Sequence, residues 1–201
     1  LPYGLPYLAY VGIASLGADR ISPELNYLLK IIIVPALLVW GWKWYAPVTG
    51  PKSKLISIIY GIVFGIIGVV VWCLLMAPFI DIKGEPWEMT PFLMRLFAAS
   101  LIVPVFEELF MRGFFLKAGL QFGHNLKKMG ARDALDVTLG DDSIDDVEPG
   151  AWSVMAVSVS TIAFTAGHMT VEWPASIAYG ILMAVLWIIR KDLLSCMVAH
   201  G

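Results

Sequence analysis

The sequence predicts an all-α, polytopic membrane protein with about seven transmembrane helices. Hydrophobic residues make up 59% of its 201 residues and charged residues only 15%, whereas soluble domains carry about 25% charged residues. Residues 55–80 contain no charged side chain, and about 20 consecutive apolar residues are enough to cross a bilayer as a helix. Short polar segments separate several further apolar runs along the chain.

The third and fourth apolar runs carry features that predict how the helices pack. Gly61 and Gly65 form a small-xxx-small pair, which lets a neighbouring helix approach closely. The fourth run is longer than a bilayer core requires, and Pro104 is expected to kink it. The predicted helices cover residues 1–18, 25–45, 55–79, 92–120, 151–168 and 175–189, and a seventh begins at residue 193.

We interpret residues 1–201 as one membrane-embedded domain, with N-terminal helices in 1–91 and the helices that bear the chemical motifs in 92–201. Residues 122–150 are the one sizeable polar segment, basic in the first half and acidic in the second. This segment is expected to be a solvated loop, either partly helical or disordered. His124 within it is expected to be a surface residue.

The loop charges predict an orientation in the membrane. If every helix crosses once, the basic residues, Arg190 and Lys191 among them, fall on one side, and only Arg20 and Lys83 lie on the other. The positive-inside rule then places the N-terminus and the acidic segment in the cytoplasm. Lys30, one turn into the second helix, is expected to extend its amine toward the membrane interface.

Residues 103–116, VPVFEELFMRGFFL, place three ionisable groups in an otherwise apolar helix. Each such charge costs about 2.5–3.5 kcal/mol at the centre of a membrane helix, so intramembrane ionisable groups indicate a functional site. Glu108 and Arg112 are four residues apart and can pair on one face. Glu107 points about 100° away from Glu108 around an α-helix and is left available as a general base.

Two histidines, His168 and His200, stand in later apolar helices, and Phe164 lies one turn before His168. Histidine can exchange a proton near neutral pH or donate a hydrogen bond to a developing oxyanion. A glutamate and two histidines that face one cavity could therefore activate a water for amide hydrolysis.

Other interpretations of these residues remain open. The Glu108–Arg112 pair could be structural, and either histidine could be a packing residue. A metal-dependent hydrolase could use Glu107, Glu108, His168 and His200 as ligands, and buried carboxylates also form proton pathways. The sequence holds no phosphate loop and no dinucleotide fingerprint, and we expect no cofactor, no resident metal and no nucleic-acid partner.

Three motifs resemble those of the CAAX protease and bacteriocin-processing (CPBP, or Abi) family of intramembrane endopeptidases. They are EELFMR at residues 107–112, FTAGH at residues 164–168, and His200, and the resemblance covers roughly residues 101–201. It implies a glutamate-type protease in which Glu107 and His200 activate the attacking water and His168 holds the oxyanion. The residues with supporting roles would be Glu108, Arg112 and Phe164.

The resemblance also implies partners and a location. The substrate would be a peptide or a lipidated protein with a CAAX-like C-terminus, cut within the lipid bilayer. The protein would be integral to the plasma membrane of a prokaryote. The alternative is a non-catalytic membrane scaffold with the same fold, such as a bacteriocin-immunity or sorting-associated protein.

Overall fold

The computed structural model describes residues 1–79 and 87–201, with only the backbone described at residues 18 and 19. All regular secondary structure in these residues is helical, which confirms the predicted all-α fold. Lys83, which contributes to the predicted orientation, lies outside the described residues. The main helices are α1 (Leu5–Ala14), α2 (Pro23–Gly41), α3 (Lys54–Met76), α4 (Met89–Asn125), α5 (Ala131–Gly140), α6 (Val154–Ala166), α7 (Trp173–Arg190) and α8 (Leu193–His200).

Four helical segments of the described residues are long and apolar enough to span a membrane: Pro23–Trp44, Lys54–Phe79, Met89–Asn125 and Thr170–Arg190. The helices α1 and α6 are apolar but have only 10 and 13 residues, which gives them lengths of about 15 and 20 Å. The predicted total of about seven transmembrane helices is therefore not confirmed. Apolar composition extended the predicted first and fifth helices into residues that the fold uses as turns.

The chain forms two compact units, which we describe separately. The first contains residues 1–45, the described part of 81–110, and Gly201; the second contains the described part of 46–80 and residues 111–200. The boundary between them falls inside α4.

In the first unit, α1 packs on α2, and α2 packs on the first part of α4. The Lys30 side chain is 5% exposed, and its Nζ lies 4.7 Å from the ring centroid of Tyr10 and 4.6 Å from that of Tyr27. The expectation that Lys30 extends away to the membrane interface is therefore wrong. Two aromatic faces hold the ammonium group inside the unit through cation–π attraction.

In the second unit, α3 packs on α7 and α8, while α6 packs on α7 and on the last part of α4. The predicted polar segment is partly helical, because α4 continues to Asn125 and α5 follows. The Asn125 side-chain amide donates to Thr138 Oγ1 at 3.1 Å and to Asp142 Oδ2 at 2.6 Å, and these bonds attach α5 to the end of α4. His124 is exposed, as predicted.

Helix α4 changes its hydrogen-bonding pattern twice. Its α-helical turns are interrupted by π-helical segments at Ala98–Ile102 and Leu109–Phe115. The first segment directly precedes the turn that contains Pro104, a residue that cannot donate a backbone hydrogen bond. Only six α-helical residues, Val103–Glu108, lie between the two segments. π-helical turns are rare and occur frequently at functional sites.

The predicted glycine pair on α3 is the contact surface for α8. A Cβ atom at Gly61 would lie 2.8 Å from the Ser195 carbonyl oxygen, and one at Gly65 would lie 2.8 Å from the Ala199 carbonyl oxygen. These distances are shorter than real Cβ contacts allow. The absence of side chains at both positions therefore brings the backbones of α3 and α8 into contact next to His200.

We expect Gly65→Ala to lower the stability of the detergent-solubilised protein by about 1–3 kcal/mol, because a methyl group overpacks this contact. The control is Gly12→Ala, since a Cβ at Gly12 meets no atom within 4 Å. Alanine at an open helical site removes the conformational cost of glycine and raises stability by about 0.4–1 kcal/mol. Thermal unfolding should therefore shift in opposite directions for the two variants, and an equal shift would contradict the close packing of α3 and α8.

Candidate active site

The two predicted carboxylates belong to the first unit. Glu108 is fully buried and Glu107 is partly exposed. The neighbouring Phe106 is 1% exposed, and its ring centroid lies 6.1 Å from that of Tyr7 and 5.2 Å from that of Tyr10. These aromatic contacts attach the short α-helical segment of the glutamates to α1.

Glu107 also lies within electrostatic range of the Tyr7 and Tyr10 phenol groups. The role of Glu107 as a general base remains a prediction.

Arg112 lies in the second unit, where it is fully buried. Its Nη2 donates to the Gly180 carbonyl oxygen of α7 at 3.1 Å, and its Cζ lies 5.6 Å from the ring centroid of Phe164. The Ser160 hydroxyl donates to the Met111 carbonyl oxygen at 2.9 Å. The second π-helical segment is thus attached to α6 and α7 by a buried cation and a hydroxyl. The predicted pairing of Arg112 with Glu108 would join the two units and remains a prediction.

The second unit brings Phe164, His168 and His200 together. The Phe164 ring centroid lies 4.5 Å from that of His168 and 6.1 Å from that of His200. Phe164 is 2% exposed, while both imidazoles are partly exposed. The spacing in the sequence predicted the first of these contacts, since residues four apart share a helix face. The second contact depends on the packing of α6 near the end of α8.

The His168 imidazole has a defined tautomer in this arrangement. Its Nδ1 lies 2.9 Å from the Phe164 carbonyl oxygen, which can only accept a hydrogen bond, so Nδ1 carries the proton. The Trp173 indole donates to the His168 carbonyl oxygen at 3.3 Å. In neutral His168, Nε2 is consequently an acceptor, and it becomes a donor only when the ring is an imidazolium ion.

Two further aromatic residues, Trp72 and Tyr179, lie next to the histidines and belong to none of the sequence motifs. The Trp72 ring centroid lies 5.6 Å from that of His168 and 6.1 Å from that of Tyr179. The Tyr179 ring centroid lies 5.8 Å from that of His200, and its hydroxyl donates to the Ala199 carbonyl oxygen at 3.0 Å. The available signal was a hydroxyl group in the middle of an apolar helix, where a buried phenol needs a hydrogen-bond partner.

We use the term aromatic cluster for Trp72, Phe164, His168, Tyr179 and His200. It places two imidazoles among three aromatic rings, which limit the orientations that each imidazole can adopt. Groups held in this way can act on a substrate without reorganising. Among the described residues, no group of three or more His, Cys, Asp or Glu side chains is placed to hold a metal ion.

We expect Tyr179→Phe to destabilise the protein by about 1 kcal/mol, because the buried Ala199 carbonyl loses its phenol donor. The Tyr60→Phe variant is the control, since the exposed Tyr60 ring would keep its contact with Arg190. Chemical or thermal unfolding in detergent measures the difference. Equal stability of the two variants would show that the Tyr179 hydroxyl does not hold the end of α8.

Comparison with known proteins identifies a family that matches the chain. A family model described as "Type II CAAX prenyl endopeptidase Rce1-like" matches residues 89–201, which is more than half of the chain. The match contains all three motifs and both histidines of the aromatic cluster. No curated protein and no solved structure matches the chain.

Proposed function

Because the chain belongs to the Rce1-like family of type II CAAX prenyl endopeptidases, we propose that it is a glutamate-type intramembrane endopeptidase. Its substrate would be a membrane-associated protein with a CAAX-like C-terminus. The family description names a prenyl endopeptidase, whose substrate carries a lipid. The observation that supports this most strongly is the pair of imidazoles held against Phe164. Such a pair can supply both a proton acceptor and an oxyanion donor.

In the proposed reaction, Glu107 and His200 activate the attacking water. Glu107 removes one proton as general base while the water oxygen attacks the scissile carbonyl carbon. The carbonyl π electrons move to the oxygen, and the resulting oxyanion accepts a hydrogen bond from His168. When the carbon–nitrogen bond breaks, the proton held by the Glu107–His200 pair passes to the leaving amine.

Arg112 and Glu108 support the reaction without exchanging protons. Arg112 fixes the second π-helical segment of α4 against α7 through the Gly180 carbonyl. If it also pairs with Glu108, each charge reduces the cost of burying the other. Phe164 orients the imidazoles through its ring and through the carbonyl that binds His168 Nδ1.

We place the protein in a prokaryotic plasma membrane, with the N-terminus and the acidic segment in the cytoplasm. The asymmetry of basic loop residues supports this orientation. The partners would be the bilayer and a peptide or lipidated protein substrate, and no nucleic acid.

The first test is cleavage of a library of lipidated and unlipidated CAAX-like peptides by the purified protein. Glu107→Gln should lower cleavage by about 10²–10⁴-fold, because glutamine cannot act as a general base. The matched control is Glu88→Gln, an exposed glutamate at the start of the same helix, which should keep full activity. Full activity of the folded Glu107→Gln variant would contradict the proposal.

Further measurements on Glu107→Gln and the wild-type protein separate the rival interpretations. Cleavage that depends on Glu107 and survives a metal chelator supports the glutamate mechanism, whereas loss on chelation supports metal-dependent hydrolysis. A partner-binding or protective phenotype that persists in Glu107→Gln would indicate a scaffold or immunity protein. Glu107-dependent proton flux into liposomes, without cleavage, would indicate a proton pathway.

The hydrogen bond of His168 generates a further prediction. Because Nδ1 is already bonded to the Phe164 carbonyl, Nε2 is the nitrogen that can reach the oxyanion. His168→Ala removes this donor and should lower kcat by about 10²–10³-fold, whereas His168→Gln keeps an amide donor and should recover part of the loss. Peptide cleavage measures both, and wild-type kcat in folded His168→Ala would contradict the oxyanion role.

A further inference from the structure

A buried polar cluster lies where α7, α8 and the start of α3 meet. Its members, Ser57, Arg190 and Asp192, are 1%, 6% and 2% exposed. In the sequence, Arg190 contributes to the basic side of the loops and Asp192 is an ordinary polar residue after a helix. The fold instead buries both charges.

The hydroxyl of Ser57 connects the two opposite charges. Arg190 donates to Ser57 Oγ from Nη2 at 2.8 Å and from Nε at 3.3 Å, and Nη2 also donates to the Ser53 carbonyl oxygen at 3.1 Å. The Ser57 hydroxyl in turn donates a hydrogen bond to Asp192 Oδ2 at 2.5 Å. Hydrogen bonds to ionised groups are the strong ones, so α3 is joined to both ends of the α7–α8 connection.

The other carboxylate oxygen of Asp192 caps α8. The Ser195 amide donates to Asp192 Oδ1 at 2.8 Å, and the amides of Leu193 and Leu194 donate to the Val48 carbonyl oxygen at 3.0 and 2.9 Å. Amides in the first turn of a helix have no partner within the helix. At α8, the carboxylate and one loop carbonyl supply those partners, so the beginning of α8 is held against the loop that contains Val48.

Helix α8 runs from Leu193 to His200. The capping carboxylate is therefore about 12 Å along the helix from His200, with no flexible segment between them. At the other end, the Tyr179 hydroxyl, the glycine contact and the rings of Phe164 and Tyr179 contact the helix. A change at the beginning of α8 should consequently rotate or shift His200 within the aromatic cluster.

Burying an ion pair is costly, and apolar residues of similar volume often stabilise a protein equally well. Stability alone therefore does not account for a charged cluster at this junction. Its bonds do specify one register and one rotation of α8 on α3. We propose that Asp192, linked to Arg190 through Ser57, is a positioning residue that sets the place of His200 in the aromatic cluster. The inference rests on the proposed function only for the catalytic role of His200, because these residues touch no substrate in the proposed reaction.

The experiment is nuclear magnetic resonance of the protein labelled with ¹³C,¹⁵N-histidine in lipid nanodiscs, combined with peptide cleavage. The chain has only three histidines, so single His→Gln variants assign the ring signals of His124, His168 and His200. The Phe164 and Tyr179 rings lie close to His200, and their ring currents make its shifts sensitive to small displacements.

Asp192→Ala should move the His200 ring signals, leave those of His124 in place, and lower kcat by about tenfold with KM within twofold of wild type. Ser57→Ala should do the same, because it breaks the link while the Asp192 cap remains. Asp192→Asn keeps an oxygen for the Ser195 amide and should recover part of both effects. The matched control is Ser22→Ala, which removes the side-chain cap of α2 and should not move the His200 signals.

Unchanged His200 signals in Asp192→Ala and Ser57→Ala would overturn the positioning role, as would an equal displacement in Ser22→Ala. If Asp192→Ala does not fold, Ser57→Ala and Asp192→Asn decide the matter by the same signals. If the wild-type protein cleaves no peptide but the variants still displace the His200 signals, the positioning role is supported. Only the proposed function then fails.

Discussion

Each unit must satisfy charged and hydrogen-bonding groups that lie among apolar side chains, and the buried guanidinium of Arg112 shows the constraint most clearly. This cation is fully buried and donates to a backbone carbonyl of α7. Burying a guanidinium group that lacks hydrogen-bond acceptors would strongly destabilise the folded protein. The π-helical segment that carries Arg112 must therefore lie where α7 offers an acceptor. Phe164 of α6 packs against the same guanidinium.

The same requirement explains the other polar contacts of the second unit. Ser160 bonds a carbonyl of the π-helical segment, Tyr179 bonds the carbonyl next to His200, and Ser57 joins two buried charges. Each bond links helices that are distant in the sequence. Hydrogen bonds between helices specify a unique packing arrangement in a way that uniformly apolar surfaces do not.

Backbone irregularities place the candidate chemistry. Two π-helical segments enclose the short α-helical segment that carries Glu107 and Glu108, and two glycines let α8 contact α3 directly. Neither feature adds a reactive group. The π-helical segments flank the glutamates on both sides, and the glycines set how near α8 lies to α3.

The sequence by itself determined the all-α class, the motifs, the family and the face shared by Phe164 and His168. Apolar composition, helical periodicity and residue identity are local properties, and each can be read from neighbouring residues. The family match confirms what the three motifs predicted. The roles of Glu107, His168 and His200 remain predictions.

Only the tertiary structure decided that Phe164 contacts His200, that Trp72 and Tyr179 complete the aromatic cluster, and that Lys30, Arg190 and Asp192 are buried. It also shortened α1 and α6 relative to their apolar runs. The physical reason is that these outcomes depend on contacts between helices far apart in the sequence. Whether a charge faces water, lipid or a hydrogen-bond partner is a property of the packed helices, and no local pattern encodes it.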